Sequence, residues 1–276
     1  MLNQSFCHLP GIGRVKETRL WQRGILSWED ARTRLDPDGK GNRALLKGVE
    51  ESRDRLAKKD SRYFGRLLPS DQQFRLFDAF RHTVVYLDIE TTGLSPWDEV
   101  TTIATWDGNR IQTYVQGQNL EDFSSDIKTY GLIVTFNGKT FDLPFLRNRL
   151  GCPLDQAHID LRYVLASLGY KGGLKKCEKA LGLDRGDLKG VDGSLAVLLW
   201  NEYGQTGNPR ALETLLAYNI EDVVNLETLM VLAYNMKLSE LGCNGQVSEP
   251  RRPDIPYAPD PSLVRRLSAQ FFSPWD

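Results

Sequence analysis

The hydrophobic pattern of the chain changes character at residue 83. Beyond it, five short apolar or alternating runs have the length and period of β-strands, and turn residues separate them. Asp107-Gly108-Asn109 forms a hairpin turn between the second and third runs. Three strands, then strand–helix–strand, then helices predict an α/β fold with a mixed five-stranded sheet flanked by helices. The predicted strands are 83–90, 100–106, 110–116, 132–136 and 158–161.

Residues 1–82 have the pattern of helices joined by turns. Gly24 fits the C-terminal cap of a first helix, and Ser27 fits the N-cap of a second one. A basic amphipathic helix follows, with its apolar positions on one side. The predicted helices of this part are 15–22, 28–35, 44–59 and a short one that begins at Ser70 or Asp71 and ends at 80.

Helical patterns return between and after the later strands. Residues 120–130 form one such pattern, and Pro144 suits the first turn of a helix that ends at 150. Asn208 or Gly207 begins a long helix that continues to about 237.

The last thirty residues are rich in proline and predict an extended tail. Its arginines could touch nucleic acid or a partner protein. Its aromatic side chains need cover from the chain's own domain or from another chain. These aromatic residues are Phe271, Phe272 and Trp275.

Composition limits the number of domains and the class of protein. The chain has 276 residues, 41% hydrophobic and 26% charged, which is enough for one large domain and a small one. No apolar run reaches the roughly 18 residues of a membrane span, and the N-terminus shows no secretory pattern. The four cysteines are far apart, so neither a disulfide framework nor a zinc site is predicted, and the cytoplasm is the expected location.

The net charge of −1 is unevenly distributed. Residues 1–82 contain 17 lysines and arginines against 11 aspartates and glutamates, whereas residues 83–276 contain 18 and 25. The first part carries +6 and could attract a polyanion, and the second carries −7. A mild asymmetry of this kind also occurs without functional meaning.

Candidate chemistry begins at the end of the first predicted strand. Asp88 and Glu90 are two residues apart, so both side chains point to one face of the strand. Two buried carboxylates repel each other unless a cation lies between them, and hard divalent cations prefer oxygen ligands. The stretch therefore indicates either a metal site or a strand that ends in solvated acids.

A second set of polar residues lies in the long helix. Tyr218 and Asp222 are four residues apart and share one helix face. Glu221 is turned about 100° from that face, and we expect it to be solvated. The apolar neighbours of Tyr218 and Asp222 indicate that their face meets the core.

Three motifs occur in order: Asp88-x-Glu90, Asn137-x-x-x-Phe141-Asp142 and Tyr218-x-x-x-Asp222. They resemble the motifs of the DEDD 3′–5′ exonucleases, the DnaQ-like branch of the RNase H-like superfamily. Tyr218 matches the DEDDy type. Residues 136–146 are similar to the proofreading domain of family B DNA polymerases. An N-terminal Pro-Gly-Ile-Gly element and the stretch 172–176 resemble more specifically the YprB-like predicted exonucleases.

The resemblance implies phosphodiester hydrolysis with two divalent cations, Mg²⁺ or Mn²⁺. Asp88 would bridge both cations, Glu90 and Asp222 would bind the nucleophile-side cation, and Asp142 would hold the other. Tyr218 would orient the attacking water. The alternatives are a core aromatic for Tyr218, a helix N-cap for Asp142 and a surface charge for Asp222. Implied substrate contacts are Thr91, Thr92, Gly93, Leu94, Asn137, Phe141, Lys175 and Lys176.

The sequence patterns and resemblances divide the chain into four parts. Residues 1–40 resemble half of a helix-hairpin-helix element, whose turn could seat a phosphate or be purely structural. Residues 41–82 would be a helical connector, 83–242 an RNase H-like exonuclease domain, and 243–276 a tail.

The predicted function is a metal-dependent 3′–5′ exonuclease on single-stranded DNA or 3′ overhangs. Its partner would be nucleic acid and not a membrane, with a protein partner for the tail left open. An exoribonuclease remains an alternative, because discrimination between DNA and RNA rests on one contact near the 2′-OH. A non-catalytic nucleic-acid-binding scaffold subunit is a second alternative, although such a scaffold need not hold four converging acids.

Overall fold

A computed structural model describes residues 1–95, 97–188, 191–243 and 245–272. The aromatic cluster expected in the tail lies outside this description, because it depends on Trp275 and on the side chains of Phe271 and Phe272. Over the described residues the chain forms one five-stranded sheet with helices on both faces. This confirms the predicted α/β architecture.

The sheet contains β1 (Val84–Thr91), β2 (Val100–Trp106), β3 (Ile111–Val115), β4 (Leu132–Thr135) and β5 (Ala157–Asp160). Their order in the sheet is β3-β2-β1-β4-β5. β1 pairs antiparallel with β2, which pairs antiparallel with β3, whereas β1–β4 and β4–β5 are parallel. β1 is therefore central and has neighbours of both directions.

Twelve α-helices are found among the described residues. None of them combines the length and the apolar character needed to span a bilayer. They are α1 (Arg14–Gln22), α2 (Trp28–Arg34), α3 (Asn42–Ala57), α4 (Ser61–Leu67), α5 (Leu76–Phe80), α6 (Phe123–Asp126), α7 (Asp142–Leu150), α8 (Leu161–Ser167), α9 (Leu174–Ala180), α10 (Gly193–Thr206), α11 (Pro209–Glu240) and α12 (Pro261–Phe272). Short 3₁₀ helices at 2–4, 70–75, 81–83, 120–122, 127–129 and 186–188 complete the list.

The prediction of a single helix over residues 120–130 is wrong. The segment forms a 3₁₀ turn, the one-turn helix α6 and a second 3₁₀ turn. Hydroxyl groups compete for its backbone acceptors: Ser125 Oγ donates to the carbonyl of Asp122 at 2.8 Å, and Thr129 Oγ1 donates to that of Asp126 at 2.7 Å. A continuous helix does not form.

Two apolar cores lie on opposite faces of the sheet, and the alternation of β1 separates them. Val84 and Tyr86 face the larger core, which includes α11 and the N-terminal helices. Val85, Leu87 and Ile89 face the smaller core beneath α6 and α7. Since side chains alternate along a strand, Asp88 and Glu90 continue the Tyr86 face and point toward α11.

The N-terminal helices are joined by a buried ion pair. Arg75 donates to both carboxylate oxygens of Glu17, at 2.7 and 2.8 Å, and each side chain is only 1% exposed. Glu17 also accepts from the backbone N–H groups of Phe6 and Cys7, at 2.6 and 3.0 Å. The chain start, α1 and the 70–75 turn are thereby held together.

The tail is not extended over its whole length. α12 begins with Pro261 after Asp260, whose Oδ1 accepts from the backbone N–H groups of Ser262 and Leu263 at 2.9 and 3.1 Å. Its buried side chains pack with α10 and α11, so this segment docks on its own chain. They are Leu263, Val264 and Leu267.

Candidate functional site

The site is built where β1 ends. Asp88 and Glu90 point to the same side, and the β1–β2 register shifts at Glu90 and Thr91. Such bulges re-aim side chains at strand ends. One carboxylate oxygen each of Asp88, Glu90 and Asp222 lies within 4.8 Å of the other two. The structure therefore brings together three acids from two distant parts of the sequence.

Helix α11 contributes the third acid and a bracing amide. Asp222 and Tyr218 are both 4% exposed and lie one helical turn apart. Between them, Asn219 Nδ2 donates to Asp88 Oδ2 at 2.7 Å, and its Oδ1 accepts from Thr102 Oγ1 at 3.1 Å. Sequence reasoning did not single out Asn219, although it lies inside the third motif.

Asp142 is the first residue of α7 and is 3% exposed. Burial raises its pKa to about 7, and backbone hydrogen bonds at Asp142 itself and at Ile89 oppose the rise. Its charge raises the pKa values of Asp88 and Glu90. Asp142 thus lies beside β1 and belongs to the same electrostatic cluster, outside the group of three that meet within 4.8 Å.

The pKa values of the acids reflect their crowding. Removal from water, followed by the charges of Asp222, Asp142 and Glu90, raises the pKa of Asp88 well above its ordinary value. Burial and Asp222 do the same to the pKa of Glu90. Burial raises the pKa of Asp222 to about 6, although Arg185 lowers it. The cluster therefore strongly favours either protons or a cation.

Two cations flank Tyr218. Lys175 Nζ lies 4.7 Å from the Tyr218 ring centroid and donates to the Val191 carbonyl, while Arg185 Cζ lies 5.7 Å from the same centroid. Burial, then the Asp222 charge, raises the pKa of Tyr218 well above its ordinary value of 10, so its hydroxyl is neutral at pH 7. Sequence reasoning missed Arg185, which no local pattern marks.

Glu221 is buried, so the prediction that it is solvated was wrong. It is 3% exposed, accepts from Asn225 Nδ2 at 3.1 Å and forms an ion pair with Arg252. The physical reason is that α11 is covered on several faces. The segment that contains Arg252 covers the face that would otherwise meet water.

A cavity of about 550 Å³ adjoins Glu90. A Cβ on Gly93 would lie 2.6 Å from Asp98 Oδ2, which accepts from the Ser95 backbone N–H, so glycine permits this tight loop. The predicted substrate contacts that line the cavity are Thr91, Thr92, Gly93, Leu94 and Phe141, and residues 192–194 and 197–198 form the other wall.

The remaining predicted contacts lie elsewhere. Asn137 has φ of +69°, and its side-chain oxygen accepts from Thr140 Oγ1 and from Arg162. Asp160 accepts from the backbone N–H groups of Asn137 and Lys139 at 2.8 and 3.0 Å, which agrees with a structural strand-end group. Lys176 is exposed. The cavity wall does not include these side chains.

A family model for the RNase H superfamily matches residues 85–234, more than half of the chain. The chain belongs to the RNase H superfamily. The superfamily match covers β1 through most of α11, so it contains all the acids described above.

Two solved structures are similar to this RNase H superfamily chain. The family B DNA polymerase from the hyperthermophilic archaeon Pyrobaculum calidifontis is 22% identical with a TM-score of 0.42, over 56% of this chain and 24% of that one. Brucella melitensis NrnC is 20% identical with a TM-score of 0.41, and the match covers 60% of this chain and 78% of NrnC. The chain thus spans about a quarter of the polymerase. No curated protein matches it.

Proposed function

We propose that this protein is a divalent-cation-dependent 3′–5′ exonuclease that hydrolyses phosphodiester bonds at the 3′ ends of single-stranded DNA or 3′ overhangs. The observation that carries the proposal is the meeting of Asp88, Glu90 and Asp222 oxygens within 4.8 Å beside a cavity of about 550 Å³. A cluster of buried like charges is unfavourable by itself, and a cation would neutralise it.

The donor set fits hard divalent cations. All the ligand atoms are carboxylate oxygens, the type that Mg²⁺ and Mn²⁺ prefer. Asp88, Glu90, Asp142 and Asp222 would hold two such ions. When bound, the cations supply an activated water and neutralise charge at the scissile phosphate.

Tyr218 is proposed to orient the attacking water through its neutral hydroxyl. Its raised pKa makes the phenol a hydrogen-bonding group and not a base at pH 7. Together with the three motifs, this residue supports the DEDDy type. We extend the proposal to the YprB-like group and to kinship with family B proofreading domains on the motif resemblance alone.

The cavity next to Glu90 is proposed to hold the terminal nucleotide. Thr91 and Thr92 line it, and Phe141 offers an aromatic face. At the loop that follows β1, Leu94 and Trp97 are 86% and 84% exposed, which suits stacking against unpaired bases. The constrained side chain of Asn137 fits a structural role better than a substrate contact.

We propose that the chain is divided into the four parts that the sequence patterns predict. Residues 83–242 would carry the hydrolysis, 1–40 and 41–82 would contact nucleic acid or support the catalytic part, and 243–276 would form a covering segment. The core that joins the N-terminal helices to the sheet supports a close association of the first three parts.

Digestion of matched 3′-labelled and 5′-labelled oligonucleotides tests the proposal. With Mg²⁺ or Mn²⁺, 5′-labelled single-stranded DNA should yield a ladder that shortens one nucleotide at a time from the 3′ end. Faster loss of RNA would make the protein an exoribonuclease. Tight binding without cleavage under all cation conditions would make it a scaffold and contradict the proposal.

A further inference from the structure

Arg185 connects two buried carboxylates that the sequence keeps far apart. Its Nε and Nη2 donate to the two oxygens of Glu178, at 2.6 and 2.7 Å. Nη2 also lies 2.5 Å from Asp222 Oδ1, and the Arg185 side chain is only 7% exposed. One guanidinium therefore spans α9 and α11 at the edge of the acidic cluster.

The far side of this guanidinium is held in place. Glu178 is 1% exposed and also accepts from Asn225 Nδ2 at 2.9 Å. Asn225 donates to Glu221 and accepts from Arg252 Nη1 at 3.1 Å. Arg185 thus belongs to a continuous polar network that ends at the C-terminal segment, and it cannot turn away from Asp222 without breaking its bidentate bond to Glu178.

The charge of the network favours a bracing role over competition with a cation. Glu178 already neutralises Arg185, so the pair adds little net charge beside the cluster. Because a carboxylate has two oxygens, Arg185 can hold Oδ1 of Asp222 while the other oxygen accepts a cation. The same guanidinium packs against the Tyr218 ring, one turn away on α11.

We propose that Arg185 is a positioning residue that fixes Asp222, and with it Tyr218, for divalent-cation binding. This inference rests on the proposed function. Partners behind a ligand orient it, and losing one commonly weakens metal binding by about 10- to 100-fold. If Arg185 were instead a counter-ion that competes with the cation, its removal would strengthen cation binding.

The test compares Arg185→Lys with Arg75→Lys in the full chain. Both substitutions keep the charge of a buried arginine that is bidentate to a glutamate, and both remove the planar fork. Only Arg185 touches the acidic cluster. Mn²⁺ binding is measured by electron paramagnetic resonance and calorimetry without nucleic acid. Arg185→Lys should bind Mn²⁺ about 10- to 100-fold more weakly than wild type, and Arg75→Lys should bind it as wild type does.

Turnover gives a second readout. Arg185→Lys should lower kcat and leave the KM for a single-stranded oligonucleotide unchanged, since no substrate contact is assigned to it. Should Arg185→Lys prove unstable, Arg185→Gln removes both the planar fork and its charge and should also weaken Mn²⁺ binding, whereas a competing counter-ion would leave tighter binding when removed.

The outcomes separate the two proposals. Unchanged or tighter Mn²⁺ binding in the Arg185 variants overturns the positioning role and leaves the exonuclease proposal standing. Equal weakening in Arg75→Lys also overturns it, because the loss would then reflect general destabilisation. If the wild-type protein binds no Mn²⁺, the proposed function fails and this inference fails with it.

Discussion

Asn219 joins the long helix α11 to the central strand by donating a 2.7 Å hydrogen bond to Asp88 Oδ2. Its own oxygen accepts from Thr102 on β2, so a single amide connects three elements. The bond also lowers the pKa of Asp88 against the larger effect of burial. Asn219 therefore helps to keep a charged acid at the strand end.

Replacing Asn219 by Ala should leave Asp88 and the buried Thr102 hydroxyl without this partner. We expect a loss of about 1–3 kcal/mol in the free energy of unfolding and a loss of about 10- to 100-fold in cation-dependent cleavage. Denaturant melts and rate measurements check both. Asn208→Ala is a matched control, because it removes only the N-cap of the same helix, worth about 1 kcal/mol. Equal cleavage rates for the two variants would contradict the role of Asn219.

Asp88→Asn tests the need for charge at the centre of the cluster. Cleavage should fall by at least about 100-fold, comparable to the loss of other charge-stabilising groups. Excess chelator should abolish wild-type activity, and Ca²⁺ should permit binding with little cleavage. Glu227→Gln is the control, since Glu227 lies on α11 but bonds to Trp106 Nε1 and not to the cluster. Degradation that persists in chelator would exclude the cation-based mechanism.

The acidic cluster predicts how stability depends on pH in cation-free buffer. The folded-state pKa values of Asp222 and Asp142 are raised to about 6 and about 7, above the roughly 4 of an unfolded chain. In the folded state these two groups thus bind more protons than they do in the unfolded chain. The stability that they contribute is fully present below about pH 4 and is lost as pH rises through 6 to 7. Denaturant unfolding from pH 4 to 8 measures this, and Asp142→Asn should reduce the slope. A slope that stays the same in Asp142→Asn as in the wild-type protein would contradict the cluster's electrostatics.

The N-terminal part offers a separate prediction about nucleic-acid binding. Arg14 lies 3.3 Å from Asp71, so it is partly neutralised. A cleft of about 440 Å³ is instead lined by four cations and, among the described residues, by no acid. Those cations are Lys16, Arg19, Arg23 and Lys40.

Reversing the charge of Arg19 and Arg23 should weaken single-stranded DNA binding and reduce its salt slope by about 0.7 per lost phosphate contact. The rate at saturating substrate should not change. Arg43→Glu is the control, because Arg43 is exposed and pairs with Asp38. If the Arg19 and Arg23 variants bind single-stranded DNA with wild-type affinity at every salt concentration, the N-terminal part has only a structural role.

Local patterns predicted the α/β fold correctly. Alternation along β1 predicted that Asp88 and Glu90 share one face of the strand, and helical spacing predicted that Tyr218 and Asp222 share one face of the helix. The structure brings one oxygen each of Asp88, Glu90 and Asp222 within 4.8 Å of the other two. Both predictions use the short repeat of side-chain direction in strands and helices, which can be seen directly in the sequence.

Long-range partners were beyond these patterns. Arg185 meets Asp222 across 37 positions, and a charged residue in a loop is normally solvated. Glu221 was predicted exposed because a helix of ordinary kind has one buried stripe, whereas α11 is covered on more faces. The proline-rich composition predicts an extended tail at Pro261, although proline after a capping aspartate also begins helices.

The burial of every residue from Tyr218 to Asp222 has a consequence for how this chain can vary in length. One inserted residue ahead of Tyr218 would rotate the rest of α11 by about 100° and shift it by about 1.5 Å. Tyr218, Asn219 and Asp222 would all lose their partners at once. Insertions and deletions should therefore be confined to connections such as 207–208, between α10 and α11, and the N-terminal half of α11 should keep a constant number of residues.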